Sequence, residues 1–122
     1  MFTRFDPKKF LGISKDLLKL SGFDFQAKIR TSIGRAYYSV FLTSYALQKS
    51  RGHKLADRTK IHQLVIDSFH EDHLFHIADK LDILREFRRN ADYSMSETFS
   101  SGDGDTCIKL AENIFKLLTE IG

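Results

Sequence analysis

The stretch from Asp24 to about Ser50 limits the possible folds more than any other part of the chain. At 100° per residue, Ile29, Ile33, Ala36, Tyr37, Val40, Ser44 and Leu47 form one helical stripe. Gly34, Tyr38, Phe41 and Tyr45 form a second stripe beside it, and Ser32, Ala36, Ser39 and Thr43 form a third edge of small residues. A helix apolar over more than half its circumference must be covered on more than one side. It is therefore the central helix of a bundle or the seam of a dimer.

The other segments also repeat at helical spacing. Asp6-Pro7 reads as a helix start, with Phe10, Ile13, Leu17 and Leu20 as the inward stripe and Ser21-Gly22 as the stop. Residues 49–60, KSRGHKLADRTK, form a basic loop. A third helix follows from about Arg58 with Ile61, Val65 and Phe69 or Ser68 inward, and a fourth from about Leu74 through Leu81, Leu84 and Ala91. SSGDGD at 100–105 reads as a polar break whose Asp103 or Asp105 caps a fifth helix over about Thr106–Leu118. Period-2 alternation is absent, so no strand competes. The expectation is one all-α domain over residues 1–122, an antiparallel up-and-down bundle of four to five helices.

Composition excludes several function classes. Cys107 is the single cysteine, so no internal disulfide can form and a reducing compartment fits. The start MFTRFDPKKF carries charges where a signal peptide needs an apolar run, and no apolar run approaches about 18 residues, so a cytoplasmic protein without a membrane span is expected. The net charge of +3 argues for an anionic partner only where the charge clusters.

It clusters in LREFRRNADY, Leu84–Tyr93. Leu84, Phe87 and Ala91 share one face, and Arg85, Arg88, Arg89 and Asp92 crowd the flank. Three arginines beside one aspartate suit an anion-binding edge; surface pairing with Glu86 and Asp92, worth roughly 0–1 kcal/mol per pair, is the plainer alternative. Arg51, Lys54 and Arg58 of the 49–60 loop add positive charge, and convergence of the two clusters at one end of a bundle would make a basic groove. With Tyr37, Tyr38, Tyr45 and Tyr93 exposed along it, such a groove suits single-stranded nucleic acid, cations meeting phosphates and rings meeting bases.

Other candidates carry less. His70, His73 and His76 match no H-E-x-x-H pattern, and surface or capping roles outweigh a metal site. Cys107 lies on an apolar face and reads as a small buried hydrophobe. His62 lies four residues after Arg58, so the two can share a helix face. No metal or cofactor is expected.

Four stretches together resemble the HEPN domain family: SIGRAYYSVFLTSYAL (Ser32–Leu47), IHQLVIDSF (Ile61–Phe69), LREFRRNADY, and the closing KLAENIFKLL (Lys109–Leu118). They fall in the family's order and span about residues 5–120. The resemblance implies a helical bundle, usually homodimeric with a basic cleft at the two-fold axis. It also implies RNA- or nucleotide-directed work in prokaryotic toxin–antitoxin or phage-defence systems, as a metal-independent endoribonuclease or as the partner of a small nucleotidyltransferase. The family's catalytic motif is an Arg followed by a His; here Arg89-Asn90 is present, and Asp92-Tyr93 stands where the His is expected. An aspartate ionising at about 4 suits an orienting role better than proton transfer at neutral pH.

On an enzyme reading, Arg88 and Arg89 contact phosphate, Asn90 and Asp92 orient, and His62 or Tyr93 moves the proton; Arg85, Arg58, Lys54 and Arg51 hold the RNA backbone. A binding reading keeps the arginines without catalysis. An adaptor reading makes the stripe of Tyr38, Phe41 and Tyr45 the contact to a second copy, a nucleotidyltransferase or another defence protein.

Overall fold

The computed structural model describes residues 5–121; the first four residues of the charged N-terminus and Gly122 lie outside them. Five α-helices pack on one another: α1 (Lys9–Lys19), α2 (Phe25–Ser50), α3 (Ile61–Glu71), α4 (Phe75–Tyr93) and α5 (Ser101–Ile121). There is no strand among the described residues, and no helix is long and apolar enough to cross a membrane.

α2 is the central helix, touching each of the other four. Asp24 caps it, its carboxylate accepting the Ala27 N–H at 2.9 Å. Ile29, Ile33, Ala36, Tyr37, Val40 and Ser44 are all buried, as the stripe requires, and Ser32 and Ser39 on the small edge are buried with them. α1, α2, α4 and α5 alternate in direction: Ser14 meets Ser32 while Leu20 meets Lys28, and Ala91 meets Arg30 while Arg88 meets Tyr38. α3 runs alongside α2 in the same sense, from Tyr37 at His62 to Gln48 at Ser68. The 51–60 connection therefore travels back along α2, ends in a single 3-10 turn at Arg58–Lys60, and buries Leu55 on the way.

Two expectations need correction. On α1 the inward residues are Leu11 and Ser14, while Ile13 and Leu20 are about half exposed, at 47% and 45%. The chain has apolar residues at 10, 11, 13, 17, 18 and 20, so two overlapping stripes were available. A pair of serines decides between them: Ser14 Oγ donates to the Ser32 carbonyl at 2.7 Å, and Ser32 Oγ donates to the Ser14 carbonyl at 2.9 Å. This contact admits no bulky side chain and draws the small edge of α2 against α1. The second correction concerns SSGDGD, which is the first turn of α5 rather than a break. Ser100 Oγ accepts the Asp103 N–H at 3.2 Å and Asp103 Oδ2 accepts the Ser100 N–H at 2.7 Å, a reciprocal capping box. Gly104 in that turn is buried against Leu18, whose methyl would lie 2.9 Å from an added Cβ.

Gly34 is a different case. It lies mid-helix and buried, yet an added Cβ would meet nothing within 4 Å. A glycine inside a helix costs about 1 kcal/mol relative to alanine, and here no neighbour needs the missing methyl.

Of the three spaced histidines, His70 and His73 end α3, and His76 lies in the first turn of α4. His73 takes a left-handed φ of 61°, with its N–H on the His70 carbonyl at 3.0 Å and the Leu74 N–H on the Phe69 carbonyl at 2.8 Å. This is the Schellman arrangement that usually recruits glycine. Cys107 is fully buried, and burial, with Asp103 nearby, pushes its thiol up to about 12.

The serine pair sets a stability prediction. Ser14→Ala or Ser32→Ala should each destabilise the fold by about 1 kcal/mol. The double substitution should cost less than the sum, because both changes break the same contact. Urea unfolding of the four proteins checks it; additive losses would mean that the two hydroxyls act independently.

Candidate phosphate-binding site

Tyr37 is buried on α2, and its hydroxyl hydrogen-bonds His62 Nδ1 at 2.5 Å. His62 follows the 3-10 turn in the first turn of α3, on the same helical stripe as Val65 and Phe69, which is why it faces α2. Its ring stacks on Phe41 at 4.2 Å between centroids and lies edge-on to Tyr38 at 6.2 Å.

Arg88 comes from α4. It follows Leu84 by four residues and precedes Ala91 by three, so it shares their buried stripe, and its side chain is only 14% exposed. Its Nη2 donates to the Tyr38 hydroxyl at 2.6 Å, and its guanidinium lies 5.2 Å from the Tyr38 ring centroid and 5.7 Å from that of Tyr37. Its Nε is 3.0 Å from Asp92 Oδ2, an ion pair whose N–H points off the oxygen. Arg85, one turn earlier, donates to Gln63 Oε1 at 2.9 Å and leaves its buried Nε without a partner.

Burial and then the charges of Arg88 and Arg85 hold His62 down to about 4. The imidazole is therefore neutral at physiological pH. Burial pushes the Tyr37 hydroxyl well above its ordinary range, outweighing the opposite pull of the same arginines. That phenol stays protonated, and Nδ1 is its only partner among the described residues, so the O–H donates to Nδ1. The proton of the neutral ring then sits on Nε2, which is unpaired and open to solvent. Arg85, Arg88 and this N–H present donors around one aromatic edge, with Asp92 the carboxylate paired there. The arrangement can take an anion.

The sequence candidates fall into separate places. His62, Arg85, Arg88 and Asp92 come together. Arg89 points elsewhere and meets Glu86 at 3.7 Å with both side chains more than half exposed. Asn90 lies in a groove with Ile83, Glu86, Phe87 and Glu97, and Tyr93 is 75% exposed past the end of that cluster. Arg51 is engaged at the far end of α2, on Asp72 at 3.3 Å and the Ile121 carbonyl at 3.4 Å. Lys54 and Arg58 are exposed and make no ion pair among the described residues. Of the aromatic stripe, Phe41 is buried under His62, whereas Tyr38 and Tyr45 are half-buried. Tyr37 as the partner of His62, and Gln63 as the partner of Arg85, were not among the sequence candidates. The positions of His62 and Arg88 on buried stripes were the available signal.

Among the described residues, no group of three or more His, Cys, Asp or Glu side chains is arranged to hold a metal ion. No family model, curated protein or solved structure matches the chain.

The depressed His62 sets a pH dependence. Its folded pKa of about 4 lies below the ordinary 6.5, so the unfolded chain takes up the proton first. Stability should fall as pH drops from about 6.5 to about 4. Asp72 acts in a separate window. Burial pushes its carboxyl up, but hydrogen bonds from Gln48 and His53 and the charges of His53 and Arg51 leave it below 3.8, so its contribution is lost only at still lower pH. Thermal unfolding across this range should show the upper loss in the wild type and a flatter profile in His62→Gln. An unchanged profile in His62→Gln would contradict the assignment.

Proposed function

We propose that the chain is a HEPN-type, RNA-directed protein of a prokaryotic toxin–antitoxin or phage-defence system, and that it holds RNA through a backbone phosphate at Arg85, Arg88 and His62. One observation carries the reading. His62, in the first turn of the third helix, and Arg85 and Arg88 of LREFRRNADY, from two of the stretches behind the resemblance, meet at one aromatic edge. The same reading makes the protein a cytoplasmic homodimer with a nucleotidyltransferase or another defence protein as its partner.

Binding is favoured over cleavage by the tautomer. A neutral His62 carrying its proton on Nε2 donates to a phosphate oxygen and cannot accept the ribose 2′ proton at that atom. Asp92, paired with Arg88, serves to aim the guanidinium. Metal-independent endoribonuclease activity is the second reading, and the location of His62 beside the arginines supports it. Burial and then two positive charges depress the imidazole; a bound phosphate offsets the charges, so its pKa rises on binding, and an imidazolium so formed can protonate a leaving oxygen.

Fluorescence anisotropy with single-stranded RNA in EDTA tests both readings. Affinity should fall with salt, and Arg85→Gln should weaken binding by about tenfold and flatten the plot of log K against log salt by roughly 0.7. Arg88→Gln should act in the same direction. Salt-independent binding, or full binding by the double variant, would defeat the proposal. Cleavage of the RNA, lost in His62→Gln, would promote the second reading.

A further inference from the structure

Beside the Arg88 site, on the other side of Tyr38, a cavity of about 240 Å³ opens between α2 and the end of α4. Gly34 is its floor, and Arg30, Arg35, Tyr38, Ala91 and Asp92 form most of its wall. Two of these residues also belong to the phosphate site: Tyr38 accepts from Arg88, and Asp92 pairs with it. The cavity and the site are therefore continuous.

The two arginines in the wall differ. Arg30 is committed to the fold: its guanidinium donates to the carbonyls of Ala91 at 3.0 Å, Ser94 at 2.6 Å and Glu97 at 2.6 Å, closing the C-terminal end of α4. Arg35 has no ion pair or hydrogen bond among the described residues. Its guanidinium is held by ring contacts instead, 4.9 Å from the Phe10 centroid and 5.3 Å from that of Tyr38. Tyr38 thus carries a guanidinium from each site, Arg35 and Arg88. A cation packed on two rings is fixed in direction while its N–H donors stay free.

The glycine is the second observation. A Cβ at Gly34 would meet nothing within 4 Å, so packing within the chain does not require its absence. The space above it is open and bordered by an unpaired cation. It is also smaller than the roughly 300–1,000 Å³ of a usual small-molecule site. That size suits one unit of a longer ligand better than a whole cofactor.

We infer that the cavity over Gly34 seats the nucleotide adjoining the phosphate held at Arg88, with Arg35 on the neighbouring phosphate, so that the ligand is a single strand rather than a free mononucleotide. This inference rests on the phosphate-site reading. The base or sugar enters over Gly34 against Tyr38, and the strand passes from Arg35 to Arg88 across that ring.

The test compares a short oligouridylate with uridine monophosphate on wild type, Gly34→Leu and Gly34→Ala. The wild type should bind the oligomer more tightly. Gly34→Leu fills the cavity and should weaken the oligomer by roughly tenfold or more while weakening the monophosphate less, so that the oligomer advantage is lost. Gly34→Ala should melt no lower than wild type, which guards against a failure to fold, and should show a smaller loss of the same kind. An oligomer advantage that survives Gly34→Leu, or equal binding of the two ligands by wild type, overturns the strand inference and leaves the phosphate site standing. No binding of either ligand by wild type overturns the phosphate site itself. A change in sedimentation behaviour in Gly34→Leu would give the cavity to a second copy of the chain and overturn the inference by that route.

Discussion

The hydrogen bond from the Tyr37 hydroxyl to His62 joins the fold to its site. Tyr37 is the largest fully buried side chain of the central helix, and a phenol buried there without a partner would cost about 1–3 kcal/mol. His62 supplies the partner from another helix. That requirement holds the start of α3 beside the middle of α2, so the 51–60 connection must run back along α2 before α3 can begin. The same bond fixes the tautomer of the imidazole and turns its other nitrogen outward, beside Arg85 and Arg88. A need of the core thus sets the chemistry of the surface.

Positive charge is treated in two ways along α2. At its C-terminal end, Arg51 and His53 meet Asp72, and Gln48 and Ser68 complete a polar network that ties α2 to α3. Arg30 is likewise spent on the carbonyls after α4. Between these two regions the pairing is incomplete. Arg85 keeps a buried N–H unpaired, Arg35 is steadied by rings alone, and Arg88 is the guanidinium there that carries a carboxylate. Incomplete neutralisation on a half-buried surface raises the local potential, which adds to burial in holding His62 down.

The sequence carried most of the fold, because α2 is apolar around so much of its circumference that it must be covered on more than one side. It failed where two patterns overlapped. α1 offers apolar residues on two stripes, and the serine contact that chooses between them depends on Ser32 of another helix. The glycines and aspartates of SSGDGD suggested a loop, although Ser100 and Asp103 stand at the spacing of a capping box. For the site, the arginine cluster was legible but not which arginine mattered. Arg88 and Arg89 are adjacent, about 100° apart on a helix, and only the stripe of Leu81, Leu84 and Ala91 indicates which of them turns inward. The partnership of Tyr37 with His62 was not legible, since it depends on how far the connecting loop doubles back.

The central claim is that Arg85, Arg88 and His62 form one anion site. Its most direct test is an NMR titration of the His62 ring with and without inorganic phosphate or RNA. The account predicts a pKa of about 4 in the free protein, moving upward when the anion offsets the arginine charges while burial still holds it below the ordinary value. A His62 pKa that anion leaves unmoved, at concentrations where the anion binds the protein, would contradict it.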